Sequence, residues 1–166
     1  MRANAINLSV LGFVIGNIRL TYERLLRPKH GAFAEAIVAP DVLQGFDFVE
    51  YGAGVGYRFH WRGAKTSGFV GATLSVTHGS GTKPTLKLGD EDTVDFTGSV
   101  WTFGIAPHVG KRWLFEPSGV NLTLRFGGGF AYRVVDPSSG SPAEATHNVE
   151  HNFLIADGEL SVGYSF

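Results

Sequence analysis

The segment Val149–Phe166 reads VEHNFLIADGELSVGYSF, and its alternating side chains decide how the whole chain is interpreted. From Leu154 onward every second residue is apolar or small, and the last two of these positions are aromatic. The intervening residues include the carboxylates Asp157 and Glu159. Because successive side chains of a strand point to opposite faces, this segment predicts a strand with one apolar and one polar face. A half-buried strand of a soluble protein alternates in the same way, so its environment must be argued from the rest of the chain.

Composition favours many short strands in a single domain. The chain has 166 residues without a linker-like segment, which predicts one domain over residues 1–166. It contains 23 Gly and 13% aromatic residues but only 17% charged residues, which is typical of a β-rich protein. The net charge of −1 offers no basic footprint for nucleic acid. Cysteine is absent, which excludes disulfides and thiolate sites, and no run of 18 apolar residues predicts a membrane helix.

The same alternation recurs along the chain and predicts eight strands, provided that residues 5–26 are divided by a tight turn near Gly16–Asn17. The connections then alternate between short turns and longer segments. Short turns fall at 27–30, 62–67 and 115–119, long connections at 79–97 and 136–148, and a connection of intermediate length at 41–45. Such alternation predicts an antiparallel up-and-down sheet in which the first and last strands pair, which gives an all-β, eight-stranded barrel.

Two local features qualify this pattern. Within 79–97, the segments Thr85–Leu88 and Thr93–Phe96 flank an acidic turn, which predicts a hairpin that continues the two neighbouring strands. Pro107 lies in the middle of a predicted strand, where it cannot donate a ladder hydrogen bond. We therefore expect a bulge or a local break at Pro107.

The polar face of the predicted strands carries equal numbers of positive and negative charges. It holds five arginines and five carboxylates: Arg19, Glu23, Glu35, Glu50, Arg58, Arg112, Arg125, Arg133, Asp157 and Glu159. Buried charges must be paired, and eight strands leave an interior that side chains fill. We therefore expect this face to form a charged, salt-bridged interior, with glycines on the same face making room for it.

The opposite, apolar face carries all five tyrosines and all three tryptophans. Several aromatic residues fall near the predicted strand ends and would form two girdles: Tyr57, Phe59, Trp61, Trp113, Tyr164 and Phe166 at one end, Trp101 and Tyr132 at the other. Aromatic girdles flanking an outward apolar band are the membrane-interface pattern of transmembrane barrels. Strands of about 9–11 residues suffice to span the hydrocarbon. The sequence therefore predicts a transmembrane β-barrel.

With its terminal Phe166, its alternation and its Tyr22-Glu23-Arg24 stretch, the chain resembles small bacterial outer-membrane barrels. It is similar to the OmpX-like proteins, to the OmpA transmembrane domain and to a Bacteroidetes-type barrel family of unknown function. The resemblance implies a porin-like fold in the outer membrane of a Gram-negative bacterium, with periplasmic termini. We expect a mature chain whose export signal has been removed.

The resemblance also implies partners and a role. The partners would be outer-membrane lipid or lipopolysaccharide and the barrel-assembly machinery, the latter through the strand that ends at Phe166. We expect a monomer with a non-enzymatic role in membrane structure, surface binding or adhesion, through the outer loops 79–97 and 136–148.

Two other functions remain open. His78 and Ser80 resemble the catalytic pair of outer-membrane lipid A deacylases, with Glu91 or Asp92 as the acid that orients the histidine. A soluble lipocalin-like carrier of small ligands is the second alternative. No cofactor or metal is predicted. The acidic run around Asp90 lacks EF-hand spacing, and His147 with His151 gives only two ligands.

Overall fold

The computed structural model describes residues 3–40, 47–63, 66–86, 93–138 and 153–166, which form eight strands and one short helix. In chain order the elements are β1 (Asn4–Ser9), α1 (Val10–Ile15), β2 (Ile18–Arg27), β3 (His30–Pro40), β4 (Asp47–His60), β5 (Ser67–Leu86), β6 (Thr93–Phe115), β7 (Val120–Pro137) and β8 (Phe153–Ser165).

The strands form one closed antiparallel sheet. Each strand pairs with its neighbour in sequence, and β1 also pairs with β8, with Ile6 opposite Tyr164. The prediction of an all-β, eight-stranded, up-and-down barrel is therefore confirmed. We call the end with both chain termini and the short connections 28–29, 61–66 and 116–119 the turn end, and the opposite end the loop end.

The first connection at the loop end differs from the predicted tight turn. β1 stops at Ser9, whose hydroxyl accepts a hydrogen bond from the Gly12 N–H (3.1 Å) and so caps α1. Gly16 ends the helix with a φ of 73°, a left-handed conformation that glycine adopts at little cost. Residues Val10–Ile15 therefore form a helix before the expected turn, because the Ser9 cap and the left-handed Gly16 stabilise its two ends.

The strand pairing also tests the expected hairpin within 79–97 and the expected bulge or break at Pro107. Pairing between β5 and β6 continues from Ser67–Arg112 out to Leu86–Thr93, which confirms that the strands extend into a long hairpin. Between β6 and β7, Ile105 pairs with Phe130 and His108 with Gly127, while Ala106 and Pro107 have no partner in that ladder. The register is the same on both sides of the gap. Proline therefore causes a local break without a bulge.

The sheet is polar inside and apolar outside. Among the described residues, the largest fully buried side chains include Arg58, Arg125, Glu23 and Glu159, which are at most 2% exposed. Large apolar side chains are exposed on all eight strands, and Leu154 and Phe130 are 76% and 68% exposed. Soluble barrels have the reverse distribution.

No helix among the described parts of the chain combines the length and apolar character needed to cross a membrane.

Candidate functional site: the charged barrel interior

All ten charged residues expected on the polar face lie inside the barrel, seven of them buried and Arg19, Glu50 and Arg133 partly exposed. They form two ion-pair clusters and the lining of a cavity, which are stacked from the turn end toward the loop end.

The cluster nearest the turn end is centred on Glu23. Arg58 Nη1 donates to Glu23 Oε2 (2.8 Å), and Arg112 Nη2 donates to the same oxygen. The second carboxylate oxygen lies 2.7 Å from His60 Nε2. The side chains are at most 4% exposed, so two guanidinium groups depend on a single buried carboxylate. Charges removed from water in this way remain stable only while they are paired.

Aromatic rings complete this cluster. The Arg58 guanidinium lies 4.3 Å from the Phe33 ring centroid and 4.8 Å from that of Phe69, within the range of cation–π attraction. Phe33 and Phe69 are 4% and 0% exposed, so they fill the lumen beside the charges. Side chains thus occupy the turn-end half of the barrel.

The second cluster lies nearer the middle of the barrel and is centred on Arg125. Its guanidinium atoms lie 3.4 Å from Glu35 Oε2, 3.1 Å from Asp157 Oδ2 and 3.0 Å from Glu159 Oε2. Asp157 is shared with Arg19, whose Nη1 lies 2.6 Å from Asp157 Oδ1. This cluster therefore has one more carboxylate than arginine, and the Glu23 cluster has one more arginine than carboxylate.

Above the Arg125 cluster, a cavity of about 210 Å³ occupies the loop-end half of the lumen. Arg19, Glu50 and Arg133 line it, together with threonines of β5 and β6. Glu50 accepts a hydrogen bond from Thr77 Oγ1 and is also the acidic group that acts on Arg133 electrostatically. The interior is therefore filled at the turn end and hollow at the loop end.

Two glycines on the inner face are required by the carboxylates. A Cβ at Gly31 would lie 2.5 Å from Glu23 Oε1, and one at Gly54 would lie 2.8 Å from Glu35 Oε1. Both distances are shorter than van der Waals contact, so any larger residue would displace Glu23 or Glu35 from its ion-pair cluster. The interior glycines thus leave room for the charged side chains.

The eight predicted girdle residues lie on the outer face. Tyr57, Trp61, Trp101, Tyr132, Tyr164 and Phe166 are 44–58% exposed, and Phe59 and Trp113 are partly exposed. At the turn end, the Tyr164 and Phe166 rings stack with their centroids 6.3 Å apart, and His30 lies 5.4 Å from the Phe59 ring. Trp101 and Tyr132 lie toward the loop end.

His78 and Ser80 also lie on the outer face, and the structure does not bring them together as a catalytic pair. The His78 ring is packed between those of Tyr51 (5.5 Å) and Trp101 (4.6 Å), on the two adjacent strands. Within the described residues, His78 forms no hydrogen bond with Ser80, and the His78 Nδ1 atom is buried without a partner. The proposed acids, Glu91 and Asp92, lie outside the described residues.

The structure tests the expected absence of a metal site only for the described residues. No group of three or more His, Asp or Glu residues in the described ranges is arranged to hold a metal ion. Asp90, His147 and His151 lie outside those ranges.

The interior also contains His60 and Phe69. The alternation of the sequence places His60 on the polar face with Arg58, but Phe69 was not assigned to the interior. His60 lies two residues after Arg58, and Phe69 lies two residues after Ser67, the first residue of β5. The two residues are paired across β4 and β5, and both side chains point to the polar face. The two-residue alternation of the strands was therefore the sequence signal that could have placed Phe69 in the interior.

Comparisons with protein-family models, with curated proteins and with solved structures gave no match to this chain.

Proposed function

We propose that this chain is an integral outer-membrane β-barrel, with its termini on the periplasmic side. In this proposal it resembles the OmpX-like proteins and acts as a monomer, without catalysis, in membrane structure or surface binding. The observation that carries the proposal is the inverted polarity of the sheet, with a charged interior and an apolar exterior on every strand. An apolar surface that extends around a whole barrel is far larger than the patches found on soluble monomers.

The spacing of the aromatic residues supports the same proposal. Trp101 and Trp113 lie on the outward face of β6. Between them on that face lie Phe103, Ile105, Pro107, Val109 and Lys111. Twelve residues of strand correspond to about 40 Å along the chain, or roughly 30 Å along the axis at a tilt of about 40°. This distance matches a hydrocarbon layer with an aromatic girdle on each side.

The closed half of the lumen favours a structural or binding role over transport. The Glu23 cluster and its aromatic partners fill the barrel at the turn end, where a permeating solute would have to displace paired charges. At the loop end, β5 and β6 continue to Leu86–Thr93, past the last described pairs with β4 (Asp47–Thr82) and β7 (Gly98–Pro137). A hairpin that extends beyond its neighbours supports surface binding through 79–97. Most of the second proposed loop, 136–148, lies outside the described residues.

The proposed partners follow from these surfaces. The apolar band would contact membrane lipid, and the loop end would face lipopolysaccharide. The closing strand β8 carries the exposed aromatic pair Tyr164 and Phe166, which would be presented to the barrel-assembly machinery.

We expect the purified protein to be heat-modifiable in detergent. A folded barrel should migrate differently from the boiled chain on a gel, because paired strands resist unfolding by cold dodecyl sulfate. The measurement compares boiled and unboiled samples after refolding with and without detergent micelles. Detergent-dependent folding with a mobility shift is the expected result. A folded, monodisperse protein in plain buffer would refute membrane insertion and favour the soluble carrier.

A further inference from the structure

Charge is segregated along the barrel axis. Besides the ten interior charges, the chain has nine basic residues and ten acidic ones. Of the six such basic residues in the described ranges, Lys83 belongs to the loop end and the other five to strand ends and connections of the turn end: Arg24, Arg27, Lys29, Arg62 and Lys111. Of the four such acidic residues in the described ranges, three belong to the loop end, namely Asp47, Asp95 and Asp136. In the part of the chain that the structure describes, the non-interior charges are therefore mainly basic at the turn end and mainly acidic at the loop end.

Five of the basic residues at the turn end are described by the structure, and all five are exposed: Arg24, Arg27, Lys29, Arg62 and Lys111. We call them the basic rim. Within the described ranges, none of the five forms a salt bridge, and Glu116 is the one exposed acidic residue at this end. Exposed cations that form no ion pair with another described residue are available to bind an anionic partner.

Two members of the basic rim identify the kind of partner. Arg24 and Lys111 lie on the outward, apolar face, opposite Asn4 and Gly68 at the starts of the neighbouring strands. The Lys111 ammonium lies 5.0 Å from the Trp113 ring centroid, within the turn-end aromatic girdle. Cationic side chains at the level of a girdle extend to the membrane interface, where lipid phosphates lie. A partner in the aqueous phase would not require cations on the lipid-facing side.

We propose that the basic rim binds the phosphate groups of anionic phospholipids in the leaflet at the turn end. The inference rests on the proposed membrane insertion and adds a lipid preference to it. Arg24 and Lys111 contact headgroups from the lipid-facing side, and Arg27, Lys29 and Arg62 contact them from the turns. At the loop end, the described residues Asp47, Asp95 and Asp136 outnumber Lys83, so the preference for anionic phospholipid applies to the leaflet at the turn end.

The test compares binding of phosphatidylglycerol and phosphatidylcholine to the full chain, released from detergent micelles into a native mass spectrometer. The variant is Arg24→Gln/Lys111→Gln. The control is Lys83→Gln, which removes a positive charge from the β5 extension at the loop end. Each interfacial cation contributes about a fivefold preference for anionic lipid at low salt. We therefore expect the double variant to lose at least about fivefold in phosphatidylglycerol affinity, and the control to lose none.

Other outcomes have distinct meanings. Equal phosphatidylglycerol affinity in the wild type and the double variant would overturn the rim proposal. Competition by polyglutamate as strong as that by the lipid would also overturn it, because it would indicate a general polyanion surface. Failure of the chain to fold in micelles, read from gel mobility in the same samples, would instead refute membrane insertion. A folded barrel without lipid preference refutes the rim proposal alone.

Discussion

Glu23→Gln is expected to lower the free energy of unfolding by about 3–5 kcal/mol, the usual effect of removing one partner from a buried ion pair. Glutamine has nearly the same shape, so the change removes charge while leaving the packing almost intact. Arg58 and Arg112 would then be buried, at most 4% exposed, without their shared carboxylate. The measurement is urea unfolding of the detergent-folded protein, followed by tryptophan fluorescence and gel mobility.

Two comparisons keep this prediction specific. Glu50→Gln removes an interior carboxylate that is partly exposed at the cavity, and we expect a loss of about 1 kcal/mol or less because water screens the remaining charge. Glu23→Gln/Arg112→Gln removes one charge of each sign, so its effect should be smaller than the sum of the single effects. Equal losses for Glu23→Gln and Glu50→Gln would contradict the assignment of Glu23 as the centre of the cluster.

The two-residue period of the sequence determines which face each side chain takes, and for that reason the interior charges could be predicted. The odd or even position of a residue along its strand was enough to place Glu35 and Arg125 on the polar face, without information on how their strands pair. Short turns with Pro or Gly then gave the strand order, because a closed antiparallel sheet with such turns has one simple connectivity.

Which charges meet across the lumen could not be predicted. Parity gives the face of a residue but not its height, which depends on the tilt and stagger of the strands. Glu23 and Arg112 are 89 positions apart in sequence, and their contact follows only from the cumulative register of the intervening strands. Helix α1 was missed for a different reason. It depends on a single capping hydroxyl, that of Ser9, in a segment whose apolar residues also suit a strand.

Leu74→Arg is expected to give the second large effect and to test the environment of the outer face directly. Leu74 is 57% exposed near the middle of β5, opposite Val55 and Ile105 on the adjacent strands. An arginine on the lipid face of a barrel costs about 2–4 kcal/mol at the bilayer midplane and about 0–1 kcal/mol near the interface. The measurement is reversible urea unfolding in phosphatidylcholine vesicles.

The matched control is Val120→Arg, which places the same side chain on the same face at the turn end, where Val120 is 41% exposed. If the outer face contacts lipid, Leu74→Arg should be destabilised by at least about 1 kcal/mol more than Val120→Arg, because the two sites differ mainly in depth. If water surrounds the barrel, both are ordinary surface substitutions, and each should change stability by no more than about 0.5 kcal/mol. Equal, small effects would therefore contradict membrane insertion even if the protein remained folded in detergent.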